Sequence, residues 1–303
     1  MPALPQAPCR RRGVAISRSS GNHPPVPANH SPPRNGGHPH PIRTLSVALI
    51  VTLSHGCGTD GNDTHPRHPP ADATTRARFL QEARITIDGQ ADEPHWTRAE
   101  PVRDFRFPWK TEPAPRTEFR ALCDADHLYF AFLIEDADIV VLDHFSDEAD
   151  AVLEDRAEIY LSLDDRMARY FCLEIDSRGR AFDYSASHYR KFDPGWKLEG
   201  LVTAAQTHED GYTVEGRIPL NSLEALGFPR LRPGTKILWG MYRAEFSHDR
   251  TGNAAPAPTT IHNLGRTTHG PPPIENWISW VDPKTPEPDF HVPSSLGWLM
   301  VVE

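Results

Sequence analysis

Two carboxylates and an arginine near the middle of the chain have the residue types and the spacing to bind hydroxyl groups. Glu158 and Tyr160 are two residues apart in an alternating segment, so as strand residues they lie on one face. Glu174 takes the equivalent face of the next segment, and we expect Arg243 and Arg120 to reach the same surface. Carboxylates and a guanidinium in a fixed array bind vicinal hydroxyls through paired hydrogen bonds. An Arg–Glu network that only joins the strands is the alternative role.

The same two glutamates are also the residue type that glycoside hydrolases use for catalysis, so hydrolysis is an alternative function. That reaction needs carboxyl groups about 5–9 Å apart, one of them with a raised pKa. No nucleophile motif accompanies Glu158 or Glu174 in the sequence. We therefore expect a binding site without a catalytic centre, and no enzyme activity.

Aromatic residues near the C-terminus form a second candidate group. Three tryptophans bracket a Pro-rich loop: Trp277, Trp280 and Trp298. We expect these three to brace the last strands, and Phe290 with His291, inside the loop, to face a ligand. Exposed rings suit sugars, whose C–H faces are apolar while their hydroxyls are polar. Trp196, beside Asp193-Pro194-Gly195, is the other ring that we expect to be exposed.

The elements that position these groups are predicted to be β-strands. Alternating or fully apolar runs separated by turn residues occur at 84–87, 117–123, 128–134, 157–163, 170–175, 211–218, 236–246, 277–280 and 296–302. Residues 220–226 are predicted to be a short helix, and residues 93–96 a helical turn whose Trp96 anchors the core. Many short strands with turn signals between them predict an all-β fold, an antiparallel β-sandwich of immunoglobulin or jelly-roll type with short helical turns.

The N-terminal part of the chain has the composition of an export signal and a tether. Residues 1–42 are a low-complexity segment, read as disordered or as the product of a start codon placed too far upstream. Residues 43–57 form a signal peptide, and Cys57 is predicted to be lipidated, with ordinary secretion as the alternative. Residues 58–83 are a linker, and the folded domain covers 84–303. The protein is therefore expected outside the cytoplasm, periplasmic or at the cell surface.

Charge and cysteine content exclude several classes of partner. The formal net charge of −9 disfavours nucleic acid, because binding to phosphates needs a basic surface. None of the four cysteines has zinc-finger or redox spacing, so no metal site is predicted from them. Cys123 and Cys172 lie on predicted strands and are expected to be unpaired, although export permits a disulfide. We expect a monomer that contacts a membrane only through a lipid on Cys57.

Short motifs follow one another in a characteristic order along the folded part. They are Ile87-Asp88-Gly89, Leu128-Tyr129-Phe130, Glu154-Asp155-Arg156-Ala157-Glu158, Tyr212-Thr213-Val214-Glu215, Trp239-Gly240-Met241-Tyr242-Arg243 and Phe290-His291-Val292-Pro293. In this order they resemble the family 9 carbohydrate-binding modules, a DOMON-like group of β-sandwiches. The resemblance implies non-catalytic binding of an oligo- or polysaccharide, in support of polysaccharide capture or catabolism beside separate glycoside hydrolases.

The resemblance also implies a site in which two aromatic rings hold the sugar. Phe290 matches one ring, whereas Val152, which cannot stack, falls at the position of the other. Glu158 matches a glutamate that binds hydroxyls, and Cys172 stands where an arginine is expected. A sandwich that has lost its ligand and serves as a structural or interaction domain is therefore an alternative.

Two further expectations come from the resemblance. No cofactor is expected, but relatives carry structural calcium, and Asp- and Glu-rich turns here offer oxygen ligands: Asp88, Asp92, Glu93, Asp136, Asp138, Asp147, Glu148 and Asp150. None of these turns has EF-hand spacing. Some DOMON-like modules bind heme, and this alternative requires axial ligands from Met241, Met300, His262 or His291.

Overall fold

Segments with buried side chains on both faces form the middle of the sheet. The structure is a computed structural model that describes residues 68–142, 145–247, 260–261, 266–267 and 276–303. All of them belong to one compact unit, Asp60–Glu303. The predicted disordered segment, the signal peptide and Cys57 lie outside the described residues.

The described residues form β-strands joined by turns and a few short helices. The strands are β1 Thr74–Phe79, β2 Thr117–Cys123, β3 His127–Glu135, β4 Arg156–Ser162, β5 Tyr170–Asp176, β6 Ala181–Ser187, β7 Lys191–Asp193, β8 Val202–His208, β9 Gly211–Pro219, β10 Lys236–Glu245, β11 Thr260–Ile261, β12 Arg266–Thr267, β13 Asn276–Ser279 and β14 Gly297–Val302. The helical elements are α1 Leu220–Leu226 and the 3-10 turns Pro94–Arg98, Glu148–Leu153 and Pro293–Ser295.

Twelve of these strands form one sheet that curls back on itself. Its order is β7-β6-β5-β4-β10-β14-β1-β2-β3-β9-β8, and β13 pairs with β10. Strands three places apart lie about 14 Å from each other in a flat sheet. Yet the rings of Phe119 on β2 and Trp239 on β10 have centroids only 5.9 Å apart. The two halves of the sheet therefore face each other across one apolar core, which confirms the all-β sandwich.

Pairing is antiparallel except around β1. This strand runs parallel to both β14 and β2, so it joins the C-terminal strand to the second half of the sheet. It corrects the predicted linker over 58–83, because Thr74–Phe79 belongs to the sheet. Thr75 and Ala77 are buried there, while Arg76 is exposed and pairs with Glu100.

Residues 84–87 were predicted to be the first strand, and this prediction was wrong. The segment is irregular, and glutamate side chains accept from one backbone N–H group within it and from two just after it. The Thr86 amide donates to Glu93 Oε1 at 2.6 Å. The Asp88 and Gly89 amides donate to the carboxylate of Glu215, at 3.2 and 3.1 Å.

The remaining predicted elements agree with the structure to within one or two residues at each end. The helix over 220–226 is α1, and Trp96 is buried in the turn Pro94–Arg98. Cys123 and Cys172 are buried free thiols, as expected.

Candidate functional site

One face of β4, β5, β6 and β10 carries most of the predicted binding residues. The register places Glu158 between Glu174 on β5 and Tyr242 on β10. We call this surface the Arg156 face; its residues are Arg156, Glu158, Tyr160, Tyr170, Cys172, Glu174, Phe182, Tyr184, Leu238 and Tyr242. The opposite face of the same strands packs into the main core.

Arg156 binds both glutamates of this face. Its Nη2 lies 2.8 Å from Glu158 Oε1, and its Nε lies 2.8 Å from Glu174 Oε2. The guanidinium also donates to the carbonyl of Val152 at 2.9 Å. All three charged side chains are almost fully buried. Burial raises the pKa of Glu158 to about 7, although the charge of Arg156 acts in the opposite direction.

A hydrogen-bonded chain connects His291 to this ion pair. The Tyr170 hydroxyl lies 3.0 Å from His291 Nδ1, and the Tyr160 hydroxyl lies 3.3 Å from Nε2. The Tyr160 hydroxyl also donates to Glu158 Oε2 at 3.2 Å. Burial, followed by the charges of Arg190 and Arg156, lowers the pKa of His291 well below 6.5. With Glu158 ionised, the neutral imidazole donates from Nε2 to Tyr160 and accepts from Tyr170 at Nδ1.

An aromatic cluster covers the edge of the Arg156 face. The ring of Phe290 stacks on Tyr242, with centroids 4.3 Å apart and planes inclined by 20°. Trp109 and Trp277 flank Phe290 at 5.4 and 5.9 Å. The phenol group of Tyr242 occupies the place that a Cβ atom on residue 240 would take, so only glycine at this position leaves room for the Tyr242 side chain. We call Trp109, Phe290 and Trp277 the aromatic rim; its two tryptophans are half-buried, so each keeps part of its surface accessible.

The rim is held by contacts from separate parts of the chain. Trp109 Nε1 donates to the carbonyl of Thr285 at 2.8 Å. The guanidinium carbon of Arg156 lies 5.5 Å from the centroid of the Trp277 ring, in a cation–π contact. The Tyr242 hydroxyl lies 2.7 Å from Ser295 Oγ, which fixes the loop that carries Phe290.

The structure brings five of the seven predicted binding residues together. They are Glu158, Tyr160, Glu174, Phe290 and His291. Phe290 is only 5% exposed, because Tyr242 and Trp109 contact its ring, so the prediction of an exposed ring at this position was wrong.

Arg243 was predicted to lie beside Glu158, and the structure corrects this. The side chain of Arg243 points to the opposite face of β10, because it follows Tyr242 directly in the strand. There it is fully buried and forms ion pairs with Asp136 and Glu245. Arg120 likewise lies elsewhere, in an ion pair with Glu118.

Trp196 was predicted to be an exposed ring, and the structure corrects this. It is half-buried and packs on Phe171, with ring centroids 4.8 Å apart. Phe171 belongs to the main core, so Trp196 does not reach the Arg156 face.

Arg156 is the residue of this site that the sequence analysis missed. It lies two residues before Glu158, so the period of a strand places both on one face. The family resemblance implied an arginine at position 172, but this position holds Cys172, a buried free thiol on β5. Arg156 supplies the guanidinium instead. Val152 is half-buried beside the same face. Because valine has no aromatic ring, the second ring of a clamp does not come from that position.

The heme alternative gains no support from the described residues. Both ring nitrogens of His291 are taken by tyrosine hydroxyls. Met241 is fully buried in the main core, on the opposite face of β10 from the aromatic rim. His262 lies outside the described residues.

The predicted acidic turns use their carboxylates mostly as local caps. Asp88 accepts from the amide of Gln90, and Asp136 accepts from that of Asp138. Asp147 and Asp150 form a capping box on the turn Glu148–Leu153. Within the described part of the chain, three carboxylates come together at one place only: Asp136, Asp155 and Glu245.

The helices of the described residues are all too short or too polar to span a membrane.

Comparisons with known proteins agree with this architecture. Residues 87–260 match the model of the family described as carbohydrate family 9 binding domain-like. The structure is similar to a candidate carbohydrate-binding protein from Bacteroides uniformis, with 14% identity, a TM-score of 0.53 and coverage of 75% of this chain and 98% of that one. It also matches a family 9 module from Caldicellulosiruptor kristjanssonii in complex with cellotriose, with 14% identity, a TM-score of 0.45 and coverage of 76% and 93%. No curated protein matches the sequence.

Proposed function

The chain belongs to the carbohydrate family 9 binding domain-like family, and from this membership we propose that it binds carbohydrate without transforming it. The ligand is an oligo- or polysaccharide, and the protein supports polysaccharide capture or breakdown by separate hydrolases. The observation that carries the proposal is the aromatic rim, whose two half-buried tryptophans lie directly above a network of buried charged and phenolic groups.

The aromatic rim has the chemistry that a sugar ring needs. Sugar C–H faces pack on flat aromatic surfaces, and Trp109 and Trp277 each keep part of a ring accessible. Beside them, Lys110 donates to the side chain of Asn276, so polar groups that can bind hydroxyls lie next to the rings. In this proposal the sugar stacks on the tryptophans and its hydroxyls meet these polar side chains.

The Arg156 face supports the rim from below. Arg156 contacts the Trp277 ring, and Tyr242 stacks under Phe290. Because Glu158 and Glu174 are almost fully buried in this structure, they position the rim and do not themselves contact the sugar. Both glutamates bind the same guanidinium, an arrangement that favours a structural role over the acid and nucleophile of a glycosidase.

Titration calorimetry of the full chain with neutral oligosaccharides, cellotriose and xylotriose among them, tests this proposal. We expect Trp277→Ala and Trp109→Ala each to weaken binding about tenfold, because each removes a stacking surface worth about 1–2 kcal/mol. Chromatography of the titrated sugars should show them unchanged.

Trp298→Ala is the matched control. This half-buried ring lies on β14 under the Lys236 ammonium, 4.0 Å from its centroid, and is not part of the rim. Its affinity should stay within about twofold of the wild type. Equal binding by all four proteins would place the sugar elsewhere, and a wild type that binds no carbohydrate would refute the function itself.

Export and lipid attachment at Cys57 form the second part of the proposal. Support comes from the sequence alone: a basic residue, a short apolar run and small residues before a cysteine. Metabolic labelling with a fatty acid should mark the wild type and not Cys57→Ser. Equal labelling of both, or of neither, contradicts the anchor.

A further inference from the structure

Three arginine side chains converge on one buried carboxylate at β2. The Oε2 atom of Glu118 accepts from Arg103 Nε at 2.7 Å and from Arg116 Nη2 at 3.2 Å. Its Oε1 atom accepts from Arg120 Nε at 2.7 Å. Glu118 is almost fully buried, whereas the side chains of Arg103 and Arg116 are 53 and 57% exposed. Glu118 thus holds the guanidinium groups in place, and each exposed arginine turns further N–H donors to the solvent.

This arginine cluster carries an excess of positive charge. Its second carboxylate, Glu135, lies 3.3 Å from Arg116 Nη1 and is itself 55% exposed. Three guanidinium groups against two carboxylates leave one positive charge, on a chain whose formal net charge is −9. Because Arg103 and Arg116 donate to the same oxygen of Glu118, their like charges lie close together. An anion on the solvent side reduces this repulsion and receives paired hydrogen bonds.

The segment that carries Arg103 leads from this cluster to the aromatic rim. Its backbone pairs with β2 at Val102 and with β13 at Arg106. Trp109, which belongs to the rim, follows in the same segment. Extended chain from Arg103 to Trp109 covers at most about 22 Å. The arginine cluster and the rim are therefore neighbouring parts of one surface.

Two further cations lie along this segment. Arg106 is exposed and donates to the backbone carbonyl of Asp104; in the described part of the chain, no carboxylate pairs with its guanidinium. Lys110, also exposed, donates to Asn276 on β13, and Glu112 lies 3.8 Å from its ammonium group. Asp104 is the exposed carboxylate between the two arginines of the segment. The basic strip, as we call the exposed cations of this surface, consists of Arg103, Arg106, Lys110 and Arg116.

We propose that the basic strip binds the carboxylates of an acidic polysaccharide whose sugar rings stack on the aromatic rim. The inference rests on the proposed carbohydrate binding and adds the class of ligand, a glycan that contains uronic acids. Arginine binds a carboxylate through two parallel N–H···O bonds, a geometry that a neutral hydroxyl does not match. One glycan chain that contacts both the strip and the rim binds more tightly, because the second contact is intramolecular once the first has formed.

The test compares two ligands that differ only in charge. They are cellohexaose and the same chain with its C6 hydroxymethyl groups oxidised to carboxylates. In titration calorimetry of the full chain at low ionic strength, the oxidised chain should bind about tenfold more tightly, the combined effect of about two exposed charge pairs. Added sodium chloride should remove most of this advantage and leave the affinity for the neutral chain unchanged.

Two substitutions in this surface should change the advantage of the oxidised chain in opposite directions. Arg106→Gln should reduce it about threefold, because it removes an attracting charge, and Asp104→Asn should increase it by a similar factor, because it removes a repelling one. Both side chains are exposed, so both variants should keep the fold and the affinity for the neutral chain. Arg232→Gln is the matched control, since Arg232 is exposed in the turn before β10, at the opposite end of that strand from β13.

The outcomes separate this inference from the proposed function. Equal binding of the two chains, or a full advantage in Arg106→Gln, would overturn the inference and leave carbohydrate binding in place. Binding to vesicles that contain phosphatidylglycerol, weakened by Arg106→Gln and without an advantage for the oxidised chain, would assign the strip to lipid phosphates instead. Trp277→Ala should weaken both chains alike, and an oxidised chain that binds this variant as well as the wild type would show that the strip acts without the rim. A wild type that binds neither chain nor any other carbohydrate would refute the proposed function and the inference with it.

Discussion

Arg156 is the residue on which the binding face depends. Its guanidinium lies between two buried glutamates and under the ring of Trp277. A buried ion pair adds little net stability when complete, but loss of one partner leaves charges unpaired in the interior. Arg156 is in this sense more critical than either glutamate, because two carboxylates rely on it.

We predict that Arg156→Met lowers the free energy of unfolding by about 3–5 kcal/mol, the usual cost of breaking a buried pair. Urea denaturation measures it. Arg76→Met is the matched control, since Arg76 pairs with Glu100 in a solvent-exposed position, and it should cost less than about 1 kcal/mol. A loss of similar size in both variants would show that the buried network carries no special weight.

The raised pKa of Glu158 predicts a dependence of stability on pH. A carboxyl group whose pKa is higher in the folded state stabilises the fold below its unfolded pKa, here 4.5, and loses that contribution as the pH rises towards 7. We therefore expect the difference in the free energy of unfolding between Glu158→Gln and the wild type to change with pH. From pH 4.5 to pH 8 it should shift in favour of the variant by up to about 3 kcal/mol. The comparison with the wild type removes the part of the His291 contribution that does not depend on Glu158, to which His291 is connected through Tyr160.

Denaturation at a series of pH values checks this prediction. Glu135→Gln, the same substitution at an exposed side chain, is the control for the effect of the amide itself. A difference for Glu158→Gln that stays flat or falls with rising pH would mean that folding does not raise the pKa of Glu158.

Strand periodicity predicted most elements but not the direction in which every side chain points. It placed Glu158, Tyr160 and Glu174 on one face correctly, because β4 and β5 form a direct hairpin. In β10 both faces are buried, so apolar composition does not show which face meets the glutamates. The predicted orientation of β10 was therefore off by one residue, and it placed Arg243 on the face that Tyr242 occupies.

The errors in predicting the strands have different physical reasons. β1 has a polar sequence and pairs in parallel with β14, more than 200 residues away, a partner that no local pattern reveals. β8 is an edge strand with mostly exposed side chains and so lacks a clear apolar alternation. The short segment at residues 84–87 has a strand-like composition, but the Thr86 amide and the Asp88 amide just after the segment donate to glutamate side chains.

The aromatic rim depends on the assembly of the whole molecule. Trp109, Trp277 and Phe290 come from three separate loops or strands, and the loop of Phe290 is held by Tyr242 on β10 and by Arg190, which pairs with Asp289. The sequence identified Phe290 as a candidate and assigned Trp277 to bracing the last strands; the contact between the two rings and the burial of Phe290 follow only from the tertiary structure. The rim is therefore the feature of the site that was least accessible to prediction.

The most direct test of the central claim, that sugar binds at the aromatic rim, follows the seven tryptophan indole N–H signals by NMR during titration of the full chain with cellotriose. Substitutions by phenylalanine assign the signals. We predict saturable shifts for Trp109 and Trp277 and no change for Trp96, which is buried and donates to Glu215, 3.1 Å away. Shifts confined to Trp196 or Trp298, with none at the rim, would contradict the account.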